Sequence, residues 1–317
     1  MRSLNTSVFY ATLVFFATLA SCSEKQQARN QQLEHNASSG VTQSATITVK
    51  DYLSRQVTLN QPAKRIIALA PHIVENVFSA GAGDRLVAAV DYSDYPEAAL
   101  AIPRLGGFSQ FNIESILSYQ PDLIIAWASG NSELAVLLQK LESFDIAVYV
   151  DEPRALKDIA RSVRDIGQLA GTEDVAEIAA ADYLREIERL HTTYAQRQPV
   201  TVFYQIWHDP LQTLNGQHMV SDVIELCGGE NIFYMASAIA PLVNVEAVIA
   251  EDPELMLAAV NADETRDVLS AWRRWSTLRA VKNDFLFEVP ADWLSRQTVR
   301  MSLGAEKVCQ YLQTARQ

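Results

Sequence analysis

The chain has little of what most enzymes and nucleic-acid-binding proteins rely on. Across 317 residues there are 26 Lys and Arg against 38 Asp and Glu, a formal net charge of −12. Phosphate backbones are gripped by surplus positive charge, so this balance argues against nucleic acid as a partner. There is no Gly-rich phosphate loop, no G-x-S-x-G elbow and no His pair at zinc-protease spacing; the five His fall at 35, 72, 191, 208 and 218. These absences argue against an enzyme, and nothing directly calls for a metal or a cofactor. The apolar run at 8–20 falls short of the ~20 residues needed to cross a bilayer, and cysteine is confined to positions 22, 227 and 309.

What is present at the start is an export signal. Arg2, the apolar run and the small residues before Cys22 read as a signal peptide over 1–21 that is removed on export. The tetrad "LASC" ending at Cys22 resembles a bacterial lipobox, which implies lipidation of Cys22; an ordinary signal peptide with a chance Cys is the alternative. Residues 22–45 are rich in Gln, Ser and Asn with almost nothing to bury, and are expected to form a disordered tether. The mature protein would then be held on the periplasmic side of the cell envelope by its lipid. Cys227 and Cys309 remain, an even number in an oxidising compartment, which favours a disulfide, with two buried thiols as the alternative.

From position 46 onward, short β-branched runs alternate with helical patterns: "RIIALA", "LVAAV", "DLIIAW" and "AVYV", then "VTVFYQI", "ELMLAAV" and "DFLFEV". Buried parallel strands joined by helices give this rhythm. An N-terminal α/β lobe is predicted over 46–152, a helical region over 153–198 and a C-terminal α/β lobe over 199–317. Within the helical region Val175, Ile178, Ala179, Tyr183, Ile187 and Leu190 follow helical spacing, with Thr172 as N-cap. In the last segment Met301, Leu303, Val308 and Leu312 are placed on one helical face. The fold class is α/β: two pseudo-symmetric Rossmann-like lobes with parallel sheets, joined by one long α-helix, with a ligand cleft between them.

A repeat supports the pseudo-symmetry. "NIESILSYQPDLIIAW" at Asn112 is echoed by "NVEAVIAEDPELMLAA" at Asn244, each with Glu two residues on, at Glu114 and Glu246, and with Pro followed by an acid and Leu. A capped helix running into a buried strand is expected in both places. For the two Glu, a capping box is the structural alternative to a functional role.

Four blocks carry a family resemblance: "YSDYP" at Tyr92, "NIESILSYQPDLIIAW", "CGGENIF" at Cys227, and "ADWLSRQTVRMSLGAEKVC" ending at Cys309. The chain resembles, over about 64–314, the substrate-binding proteins of ABC importers, and within them the cobalamin binders. "DYLSRQVTLNQPAKRIIALAP" resembles their opening, in which a small hairpin precedes the first parallel strand. The resemblance implies a monomer that carries cobalamin or another corrinoid as cargo to a homodimeric permease with its ATPase subunits. It places Tyr92, Phe108 and Trp127 at the corrin ligand and the loop bearing Asp292, Trp293 and Arg296 at the ligand's edge, with Trp207 and His208 aligned more loosely. Glu114 and Glu246 become one docking acid per lobe for permease arginines. His72 stands where the family has a small residue; it is expected either to sit in a packed helix start or to approach the cobalt as an axial imidazole. Haem or a ferric siderophore is the alternative cargo of the same fold, with Arg104 and Arg296 as candidate anion partners.

Overall fold

The computed structural model describes residues 46–107, 111–131, 134–261 and 264–317. The segments expected to be a signal peptide and a tether, with Cys22, and also Phe108, lie outside the described residues. An antiparallel hairpin, β1 (Ile47–Lys50) and β2 (Gln56–Leu59), precedes the first sheet. That sheet has the parallel strands β3 (Ile66–Ala68), β4 (Leu86–Ala89), β5 (Leu123–Trp127) and β6 (Ala147–Asp151), in the order β4-β3-β5-β6. The second holds β7 (Val200–Gln205), β10 (Gly229–Asn231), β11 (Leu255–Val260) and β12 (Leu286–Pro290), ordered β10-β7-β11-β12. Taken in sequence order within each sheet, both read second, first, third, fourth. The two lobes therefore share one topology. A short hairpin, β8 (Trp207–His208) and β9 (Leu211–Gln212), follows β7.

Central strands are apolar on both faces because helices cover both: Ile66, Ile67, Leu123, Ile124, Ile125 and Leu255, Met256, Leu257 are all fully buried. Each such side chain contributes about 1.5–3 kcal/mol by leaving water. In lobe 1 the covering helices are α1 (Pro71–Ser79), α2 (Ile113–Ser118) and α3 (Leu134–Glu142). Lobe 2 uses α6 (Met219–Leu226), α7 (Val245–Glu251), α8 (Arg279–Lys282), α9 (Ala291–Ser295) and α10 (Met301–Ala315). Cys227, just past α6, is disulfide-bonded to Cys309 on α10, as expected.

Between the sheets lie α4 (Leu156–Ala170) and the 22-residue α5 (Glu173–Tyr194), joined at Gly171, whose φ of 65° ends α4 in the left-handed conformation. The start of α5 packs on lobe 1, with Val175 against Gly81, and its end packs on lobe 2, with the Tyr194 carbonyl against Gly228. One helix thus spans both lobes, and its buried face keeps Tyr183 and Leu190 of the expected set but not its first positions. Val175 and Ile178 are exposed, whereas Ala176, Ala180, Tyr183 and Leu190 are buried. Gly167 of α4 explains the choice: a Cβ there would lie 2.2 Å from the Cβ of Ala176, so the two helices meet through small residues. Thr172 caps α5 only with its backbone carbonyl, which accepts from Val175 N and Ala176 N; its hydroxyl has no partner. On α10, Leu303 is exposed and Gly304 and Ala305 take its place in the core beside Met301, Val308 and Leu312.

Candidate functional site

The repeated motif is explained almost residue by residue. Asn112 Oδ1 accepts from Glu114 N at 2.9 Å and Ser115 N at 3.2 Å, and Asn244 Oδ1 accepts from Ala247 N at 2.7 Å, so each Asn caps its helix. Gln120 and Asp252, each preceding the Pro, both take positive φ, 47° and 43°. The acid after the Pro then holds the entry to the first strand of its sheet: Asp122 accepts from Lys64 N and Arg65 N, and Glu254 accepts from Thr201 N. Glu114 and Glu246 are what this leaves over. Both are exposed, and neither carboxylate reaches back to its Asn, so the capping box does not form.

A cleft of about 810 Å³ opens where β4, β11 and β12 end, the edge at which open α/β sheets receive ligands. Lobe 1 contributes Tyr92 and Asp94; lobe 2 contributes Val260, Asn261, Glu264 and the stretch holding Asp292, Trp293, Arg296 and Arg300. Tyr92 is 74% exposed, its ring unpacked in the cleft mouth. The loop that carries it is held by Arg104, which donates to the carbonyls of Ser93, Ala99 and Ile102. Arg104 is therefore spent on backbone and is not a free anion partner.

Arg296 is also engaged. Its guanidinium donates to Glu75 Oε1 at 3.0 Å, Asp94 Oδ1 at 2.7 Å and the Tyr92 carbonyl at 3.1 Å, and its Nε lies 3.0 Å from Asp292 Oδ1. Burial alone would lower the pKa of Arg296, but the hydrogen bonds to Asp94 and Glu75 and the Asp292 charge raise it. Burial likewise works to raise Asp94, and the bond from Arg296 overrides it and lowers the carboxyl. Arg300 completes the cluster, with Nε 2.8 Å from Glu75 Oε2 and its guanidinium 3.9 Å above the Tyr95 ring.

Tyr92, Asp292, Trp293 and Arg296 thus line one cleft. Trp207 and His208 line a smaller chamber of about 280 Å³ in lobe 2, which shares Val260, Asn261, Glu264 and Ala291 with the main cleft. Trp127 ends β5, half-buried, and is not among the cleft-lining residues; it meets His72 edge-on at 5.2 Å between ring centroids. Of the two expectations for His72, its surroundings match the packed helix start. It is 3% exposed and its Nε2 faces buried Asp151 Oδ2 at 3.6 Å, which makes it a support under Trp127 and not a cleft wall. No cluster of His, Cys, Asp and Glu able to hold a metal ion occurs among the described residues. Sequence reasoning missed Glu75, Asp94 and Arg300. The one available signal was the four-residue spacing of the charges Asp292, Arg296 and Arg300.

Two lobes of matching topology, spanned by a single long helix and with an aromatic and ionic cleft at their strand ends, define a binding protein. The chain belongs to the periplasmic binding protein family, which it matches over residues 66–293. It is 39% identical over 255 residues, 80% of this chain and 91% of the relative, to the vitamin B12-binding protein of Vibrio cholerae serotype O1. The crystal structure of the periplasmic vitamin B12 binding protein BtuF of Vibrio cholerae superposes with a TM-score of 0.73 at 38% identity, covering 81% of this chain and 99% of that one. The periplasmic heme-binding protein RhuT of Roseiflexus, at 21% identity and TM-score 0.69 over 80% of this chain and all of its own (100%), shares the fold.

Proposed function

We propose that this protein captures cobalamin, or a related corrinoid, in the cleft between its lobes and delivers it to the permease of an ABC importer. The observation that carries the reading is the cleft itself. A corrin is a broad, largely apolar disc fringed with amides, and it asks for flat rings and a few fixed polar groups, which Tyr92, Trp293, Asn261 and the Arg296 cluster supply. The relatives' binding of vitamin B12 supports the same cargo. Haem or a ferric siderophore is disfavoured because Arg104 and Arg296 are already paired within the protein, leaving little free positive charge for an anionic cargo. The role is capture and hand-over without chemistry.

Glu114 and Glu246 are the docking acids in this reading, one per lobe, at equivalent points of the repeat. A symmetric permease presents two equal basic patches, and a pseudo-symmetric binding protein answers with two exposed, unpaired carboxylates. Export and lipidation at Cys22 would put the lobes on the periplasmic side of the membrane, at the end of the 22–45 tether.

Isothermal titration of the mature, unlipidated protein with cyanocobalamin, haem and a ferric siderophore in parallel tests the cargo. Saturable one-to-one heat with cyanocobalamin is expected. Heat only with haem or the siderophore would replace the cargo while keeping the transport role.

A further inference from the structure

The ionic cluster beneath the cleft joins two lobes that are far apart in sequence, and one buried residue is its centre. Glu75, on α1 of lobe 1, is 2% exposed and accepts from both Arg296 and Arg300 of lobe 2. A buried carboxylate persists only when paired and fully hydrogen-bonded, so the two arginines are obligatory partners. The next residue repeats the connection: Asn76 Nδ2 donates to the Gln297 carbonyl at 3.0 Å. Both arginine side chains are largely buried, 13% and 11% exposed, which limits how far either can move.

The same Arg296 reaches out of the cluster to the Tyr92 carbonyl. Tyr92 has a φ of 62°, a left-handed conformation that a residue with a bulky side chain holds only when its surroundings impose it. Two arginines impose it, one from each lobe: Arg104 on the carbonyl of Ser93 and Arg296 on that of Tyr92. The direction in which the Tyr92 ring enters the cleft thus depends on lobe 2, through Arg296.

We propose that Glu75 is a positioning residue for ligand capture: by holding Arg296 and Arg300 it fixes the angle between the lobes and, through Arg296, presents the Tyr92 ring to the ligand. Glu75 itself touches no ligand. The inference rests on the cleft being the cobalamin site, and it deepens that reading by making cleft geometry a property of the ligand-free protein.

Two measurements on Glu75→Gln, which keeps the side-chain volume and removes the charge, decide the matter. The first needs no ligand: spin labels on Ser118→Cys in lobe 1 and Glu251→Cys in lobe 2, both exposed, report the interlobe distance distribution by pulsed electron resonance. A shift or broadening in Glu75→Gln is expected. The second is a double-mutant cycle for cyanocobalamin affinity between Glu75→Gln and Tyr92→Ala. Glu75→Gln should weaken binding about tenfold in the parent and less than about threefold when Tyr92 is already Ala, because part of its effect travels through that ring. An unchanged distance distribution, or equal losses in both backgrounds, overturns the proposal. Failure of the parent protein to bind cyanocobalamin would instead sink the cargo reading, leaving the distance measurement to decide the clamp. Should Glu75→Gln not fold, Arg300→Lys weakens the same cluster from lobe 2 and is read the same way.

Discussion

At the scale of single residues, what a side chain does here depends on whom it meets. His72 and Asp151 are buried together and carry Trp127. His72→Ala should therefore cost about 2 kcal/mol of stability in denaturant unfolding while leaving the visible spectrum of bound cobalamin unchanged; a changed spectrum would return His72 to the cleft. Asp222, in the first turn of α6, shows the opposite balance. Burial, together with the Glu225 and Asp158 charges, raises its pKa from 3.8 to about 6, outweighing the helix dipole that favours a carboxylate there. Between about pH 4 and 6 the folded chain holds a proton that the unfolded chain has released. Its contribution to stability is thus full below that window and lost as pH rises through it. Asp222→Asn is expected to raise stability at pH 7 by about 1 kcal/mol, discounted for a half-exposed site, and to flatten the pH dependence of the urea midpoint between pH 4 and 6.

At the scale of elements, the crossing helices are held by size complementarity. Gly167→Ala would force its new methyl into Ala176 and should cost about 1–3 kcal/mol, read as a lower denaturant midpoint. The periodic apolar positions announced α5 and its length, yet they named Val175 and Ile178 as inward when they are exposed. The reason is physical: hydrophobicity marks residues able to face a core, whereas the packing partner selects among them, and Gly167 selects alanines. The same logic moved Leu303 to the surface of α10 while Gly304 fitted beneath the Trp293 carbonyl. The repeat was better read, since Asn caps, Pro and the following acid act within a few residues of themselves or on the adjacent strand.

For the whole molecule, two lobes and one spanning helix set what can be tested. Glu114→Arg together with Glu246→Arg should abolish delivery in a reconstituted uptake assay while keeping cobalamin affinity within about twofold; a collapse in affinity would make these residues part of the site or of the fold. The Cys227–Cys309 bond, across a separation of 82 residues, ties the end of α6 to α10. Replacing both by Ser should lower stability by about 4 kcal/mol in the chain-entropy description, with calorimetry or urea unfolding as the measure.

The sequence by itself determined seven of the eight sheet strands, the long helix and the capped helices of the repeat, the matched halves, the cysteine pair, and Asp292, Trp293 and Arg296 of one cleft-lining segment. Those features follow from local patterns, because periodicity, caps and turn residues act over a few positions. Only the tertiary structure decided that Glu75 meets Arg296 and Arg300, 221 and 225 residues away, that His72 turns to Asp151, and that Tyr92 is aimed by an arginine of the opposite lobe. A charge carries no record of its partner along the chain. Long-range pairing is fixed by where packed lobes bring side chains, and at that cleft the packing of α1 against the segment between α9 and α10 made the choice.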